Sequence, residues 1–109
     1  MMVEMEHREQ GIAFVRLSGR LDAAAAPHVL SRLKDAVADG RSRLAVDLSE
    51  VSFIDSTGLG TLVSGLKAAR RAEGDLRLVA PNSQAQRLLR LTTLDRVFVT
   101  SDTLDEVWA

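Results

Sequence analysis

The apolar positions of this chain alternate between two periods. Over Met2 to Arg8, Val3 and Met5 face one way and Glu4 and Glu6 the other, the period-two pattern of an edge strand with one solvated face. Gln10-Gly11 predicts a hairpin turn into a second strand, Ile12 to Leu17, where Ala13, Val15 and Leu17 oppose Ile12, Phe14 and Arg16. Strands joined by so short a loop pair antiparallel. Ser18-Gly19-Arg20-Leu21-Asp22 is expected to break the second strand, with Gly19 supplying the turn. The period then lengthens. Val29, Leu30, Leu33 and Val37 stripe one face of a helix over about Ala26 to Asp39, with Pro27 in its first turn and Gly40 at its end. Arg32, Lys34 and Asp35 fall on the solvated side, and His28 reads as a lone surface histidine.

The stretch from Leu44 to Arg71 holds the centre of the pattern. Leu44, Ala45, Val46 and Leu48 form an apolar run suited to a buried strand. Val51, Phe53 and Ile54 predict a connecting loop tucked against the core. Leu59, Leu62, Val63, Leu66 and Ala69 then follow helical spacing, and the helix ends near Gly74 with Lys67, Arg70 and Arg71 suited to its C-terminus. Leu76, Leu78 and Val79 predict a further strand closed by Pro81. A third helix starts near Asn82 or Ser83 and runs to Leu91, with Ala85, Leu88 and Leu89 inward and Arg87 and Arg90 outward. Leu94, Val97, Phe98 and Val99 predict a short last strand, and Ser101-Asp102 the cap of a terminal helix carrying Leu104, Val107 and Trp108. The order β-β-α-β-α-β-α-β-α implies an α/β fold with a mixed sheet, antiparallel in its first pair and parallel through right-handed crossovers thereafter.

Composition narrows the class. With 109 residues, 46% of them hydrophobic, residues 1–109 are expected to form one domain, its core built from Leu, Val, Ala and Ile. The 14 basic and 15 acidic residues leave a net charge of −1, which argues against a dedicated nucleic-acid binder. Cysteine is absent, which excludes disulfides and thiolate chemistry. MMVEMEHREQ lacks an apolar signal-peptide segment, and no apolar run approaches a membrane span, so a cytoplasmic location is expected.

Asp55-Ser56-Thr57-Gly58 falls where strand hands over to helix. The first turn of a helix carries unpaired N–H groups and partial positive charge. Residues of these types are ordinary caps there. A phosphoryl group on Ser56 would add about −1.5 to −2 charges, tolerated by the helix end and met as an obstacle by a docked partner.

DLSEVSFIDSTGLGTLV at 47–63 resembles the anti-sigma factor antagonist family, the small STAS domains of bacterial partner-switching systems. Leu17-Ser18-Gly19-Arg20-Leu21-Asp22 supports the likeness, because the family carries a Gly-x-Leu-Asp turn near its N-terminus. The order of elements matches from about residue 3 to 108. The resemblance implies a sheet covered by helices mainly on one face. It implies that the unphosphorylated protein binds an anti-sigma factor serine kinase and so releases a sigma factor. That kinase, using ATP and magnesium, would phosphorylate Ser56, with Thr57 as second candidate, and a metal-dependent phosphatase would reset it. The protein itself would hold no cofactor. By the same resemblance, Asp22 and Asp55 shape the loop and contact the kinase, Gly58 admits a partner backbone, and Leu59 with its neighbours supplies apolar contact. Asp22 also has a local reading, as a turn or cap that bonds nearby N–H groups. Pro27 in the first helical turn favours the partner-facing one, since Asp22 is then far upstream for an N-cap.

Enzyme chemistry finds little support. His7 and His28 lack metal-ligand spacing and any hydrolase motif, and no P-loop occurs. Gly58-Leu59-Gly60 fails as a dinucleotide loop because Val63 stands at the third glycine position. Asp22 and Asp55 have no second catalytic group beside them. The rival reading is a STAS-like docking subunit of a lipid-transporting ABC system or of a stress-signalling scaffold, with Ser56 only a cap. A small-ligand sensor has no supporting motif.

Overall fold

Five strands lie side by side in chain order in the computed structural model, which describes residues 1–108. β1 (Met2–His7) and β2 (Ile12–Leu21) form the antiparallel hairpin, with Val3 opposite Leu17 and Met5 opposite Val15. Their turn is tight because Gln10 and Gly11 both take positive φ, 62° and 71°. β3 (Arg43–Ile54), β4 (Asp75–Val79) and β5 (Thr100–Ser101) continue the sheet in parallel. α1 (Ala26–Ala38), α2 (Ser56–Arg71) and α3 (Ser83–Leu91) are the crossovers, and α4 (Leu104–Val107) ends the described chain.

Burial follows the alternation. Ala13, Val15, Leu17, Leu44, Val46, Leu48, Leu76 and Leu78 point to one face, where they meet Val29 and Leu33 of α1, Leu62 and Leu66 of α2, and Ala85 and Leu89 of α3. The opposite face is covered only in part, by α4, whose Val107 packs with Ala45 and Val79. Arg77 supports that cover: its guanidinium lies 4.2 Å from the Trp108 ring centre and donates to the Val107 carbonyl oxygen at 2.9 Å. Helices therefore cover mainly one face.

Four expectations change. The second strand does not break at Ser18; it continues to Leu21 through two register shifts, with Gly19 at φ 106° inside the irregularity. Ser49–Ile54 is not a loop but the second half of β3, pairing Val51 with Gly19 and Ile54 with Leu21. The last strand is displaced: Leu94–Arg96 is a 3₁₀ turn, only Phe98 of the predicted run is buried, and pairing waits until Thr100–Ser101. At the final helix, Thr103 stands at the N-cap without a side-chain bond, in place of the predicted Ser101-Asp102.

Among the described residues, Asp47 is the one carboxylate in the sheet interior, 4% exposed on the partly covered face. Burial alone would raise its pKa. The Ser49 N–H at 2.9 Å and the Arg16 guanidinium at 3.1 Å outweigh that and hold the carboxyl below the usual range. A depressed folded pKa adds stability above the unfolded value, about 3.9, and that stability is lost as pH falls through the lower folded value. Asp47→Asn is therefore expected to lower stability at pH 7 and to flatten its fall below about pH 4. Urea melts of both proteins at pH 7 and pH 3 check this; parallel losses on acidification would show that Asp47 is not coupled to folding.

Candidate functional site

Register builds the site. Leu21 pairs with Ile54 at the ends of two adjacent parallel strands, so Asp22 and Asp55 are the next residues off the sheet. Ligand and partner surfaces of parallel sheets gather at such carboxyl ends. The Asp55 N–H donates to the Leu21 carbonyl oxygen at 3.3 Å, tying the two exits together.

Each aspartate also organises its own turn. Asp55 is the N-cap of α2, and its Oδ1 accepts from the Gly58 N–H at 2.7 Å. Asp22 accepts at Oδ1 from the N–H groups of Ala24 and Ala25, both at 3.1 Å, and closes the turn ahead of α1. The local turn-forming reading of Asp22 is borne out, and the residue also stands beside the Asp55 loop. Ser56 and Thr57 occupy the first turn of α2 with both side chains exposed. The Asp55 carboxylate takes the Gly58 N–H, so the N–H groups of Ser56 and Thr57 are the first-turn donors left for solvent or a ligand.

Gly58 and Leu59 are placed differently from expectation. Gly58 is buried, and a Cβ there would lie 2.0 Å from the Leu21 carbonyl oxygen. The close approach it permits is to this chain's own backbone. Leu59 is 4% exposed and belongs to the core cluster, so it presents no apolar face outward. Gly60, two residues along, is exposed, with open space where a Cβ would point.

Side chains that sequence reading missed hold the loop from behind. β4 leaves β3 after Asp47, so the far edge of Leu48–Ile54 lacks a strand. α3 fills that edge. The Ile54 N–H donates to Gln84 Oε1 at 2.9 Å, and Gln84 Nε2 donates to the Ile54 carbonyl oxygen at 2.7 Å. Asn82 caps α3 through the Ala85 N–H at 2.9 Å and donates from Nδ2 to the Val51 carbonyl oxygen at 3.1 Å. On the other flank, the Arg20 guanidinium lies 4.5 Å from the Phe53 ring centre and 3.8 Å from the Asp22 carboxylate. Thirty residues separate Gln84 from its partner, and nothing local marks it.

Gln84→Leu strands the N–H and C=O of Ile54 and is expected to cost about 2 kcal/mol. Amide exchange at Ile54 should accelerate together with that loss in a urea melt; an unchanged Ile54 rate would show that Gln84 does not clamp the loop. Among the described residues, no group of three His, Asp or Glu side chains is placed to hold a metal ion, and no helix is long and apolar enough to cross a membrane.

Residues 3–107 match the STAS domain family. The anti-sigma-B factor antagonist of Listeria monocytogenes is 32% identical over 95 residues, covering 87% of this chain and 83% of that protein. The crystal structure of an anti-sigma factor antagonist from Mycobacterium paratuberculosis superposes with a TM-score of 0.84 at 31% identity, over 96% of this chain and 88% of the other. The Bacillus cell fate determinant SpoIIAA in its phosphorylated form shares the fold, with a TM-score of 0.76 at 20% identity over 96% and 95% of the two chains. The sheet order, the capped Asp55 loop and these likenesses agree: the chain belongs to the STAS domain family, alongside the anti-sigma factor antagonists it matches.

Proposed function

We propose that this protein is an anti-sigma factor antagonist whose Ser56 loop docks an anti-sigma factor serine kinase, and that phosphorylation of Ser56 ends the docking. The observation that carries the reading is a solvent-exposed hydroxyl at the first position of α2, on a loop fixed by the Asp55 cap and the Gln84 clamp. A kinase needs an accessible acceptor, and a switch needs a surface that is already ordered before it is modified. The match to the Listeria antagonist supports the partner class. In this reading Asp22, Asp55, Thr57 and Gly60 border the docked partner. Gly58 and Leu59 act one layer below, seating the first turn on Leu21 and the core. A metal-dependent serine phosphatase would restore the hydroxyl. The cycle would run in the cytoplasm, where sigma factors meet RNA polymerase.

Intact-mass analysis after incubation with ATP, magnesium and the cognate kinase tests the assignment. One phosphate is expected on the parent chain and none on Ser56→Ala. A phosphate that persists in Ser56→Ala and vanishes in Thr57→Ala moves the acceptor to Thr57. Binding without any phosphate sinks the switch and leaves constitutive docking.

A further inference from the structure

A second surface lies at the other end of α2. Among the described residues five large apolar side chains are exposed; two are Met1 and Met2, and the other three fall within residues 91–99. Leu91 is 75% exposed at the last position of α3, Val97 is 38% exposed after the 3₁₀ turn, and Val99 is 45% exposed before β5. The segment is well tied down. The Thr93 N–H donates to Arg90, the Val97 N–H to Leu94 and the Leu78 N–H to Val99, and Arg70 Nη2 donates to the Val97 carbonyl oxygen at 3.3 Å. Its apolar residues are thus held out to solvent by a fixed backbone. Arg70 stands fourteen residues beyond Ser56 on α2, roughly 20 Å along the axis at 1.5 Å per residue. The Val97 end of the surface is therefore remote from the Ser56 loop.

Residues 87–102 carry three basic side chains, Arg87, Arg90 and Arg96, and two acidic ones, Asp95 and Asp102. Arg87, Arg90 and Arg96 are exposed and, among the described residues, form no ion pair. Beside Arg90 opens a notch of about 250 Å³ reaching Leu89, Thr100 and Ser101, with Asp95 and Asp102 also on its wall. Exposed apolar side chains interspersed with unpaired arginines suit apolar anchors accompanied by carboxylates. The two wall aspartates decide between classes of partner. An anionic membrane presents charge across its whole surface and would meet them, whereas a peptide can place its carboxylates at the arginines alone.

We propose that Leu91, Val97 and Val99, with Arg87, Arg90 and Arg96 around them, form a docking surface for an acidic, apolar-anchored segment of a protein partner, separate from the Ser56 loop. The proposal stands or falls independently of Ser56 phosphorylation.

The test uses the full chain labelled with ¹⁵N. The probes are a synthetic peptide of two leucines flanked by glutamates, its lysine counterpart, and vesicles containing phosphatidylglycerol. The glutamate peptide is expected to shift amides of residues 87–99 and leave 52–60 in place. Leu91→Glu and Arg90→Glu should each weaken that binding at least tenfold. Both side chains are exposed, so unchanged circular dichroism is expected, and the remaining variant carries the test if one misfolds. No shift with the glutamate peptide, equal shifts with the lysine peptide, or broadening of the same residues by vesicles but not by peptide would each overturn the proposal.

Discussion

Gly58→Ala is expected to lower stability by about 2–3 kcal/mol, the net of two opposing effects. Alanine favours a helix over glycine by about 1 kcal/mol. Against that, the new methyl would meet the Leu21 carbonyl oxygen at 2.0 Å and the Leu21 carbonyl carbon at 2.8 Å. Overpacking costs typically about 1–3 kcal/mol and more where nothing yields. Here the obstacle is backbone. The Leu21 carbonyl accepts the Asp55 N–H, so moving it separates the two strand exits that carry Asp22 and Asp55. The alternative, lifting the first turn of α2, weakens the 2.7 Å bond from Gly58 to the Asp55 cap. At this size a loss of 2–3 kcal/mol lowers Tm by roughly 10–20 °C. Gly60→Ala is the internal comparison. Nothing lies within 4 Å of a Cβ at Gly60, so the same change two residues along should be neutral or stabilising by up to about 1 kcal/mol. Thermal and urea melts of both variants decide the matter. Equal Tm values would show that Gly58 is not a point of forced contact.

That contrast marks what the sequence could and could not tell. The stripe Leu59, Leu62, Val63, Leu66 and Ala69 announced a helix because its period repeats within a few residues; four of the five are buried and Val63 is partly buried against the core. Asp55 was legible as a helix-start residue for the same local reason. The two glycines of Gly-Leu-Gly looked alike, because only the path of Leu21, more than thirty residues earlier, separates them. Leu59 read as a contact residue because proximity to Ser56 says nothing about which side of the turn it faces. Ser49–Ile54 passed for loop because the register shifts in its pairing with β2 disturb the alternation that identifies a strand. Val97-Phe98-Val99 passed for strand because an apolar run carries no sign of direction. In the fold, Phe98 alone enters the core, and the chain reaches β4 only after the left-handed Thr93 and the 3₁₀ turn.

Phosphorylation of Ser56 is expected to weaken kinase binding at least 100-fold, about 2.7 kcal/mol, while changing folding stability by no more than about 1 kcal/mol. The two numbers differ because the loop has little reason to rearrange. Its geometry rests on Asp55, Gly58 and Gln84, none of which uses the Ser56 hydroxyl. The helix N-terminus and the free N–H groups of Ser56 and Thr57 favour an added anion, and the Asp55 carboxylate in the same turn opposes it. These contributions largely cancel within the isolated protein. At an interface they do not. A phosphate of about −2 charge joins Asp22 and Asp55 at the paired strand exits, with Arg20 the cation in contact there. A partner that covers this surface must strip water from the new charge, and burying a charge without a counterion costs several kcal/mol. Calorimetric titration of the kinase with each form, beside melts of both forms, reads the two quantities separately. Equal affinities would remove the switch. A Tm lowered by more than 10 °C with affinity lost would mean that the phosphate acts by unseating α2 from Leu21, and the charge at the surface would no longer be the cause.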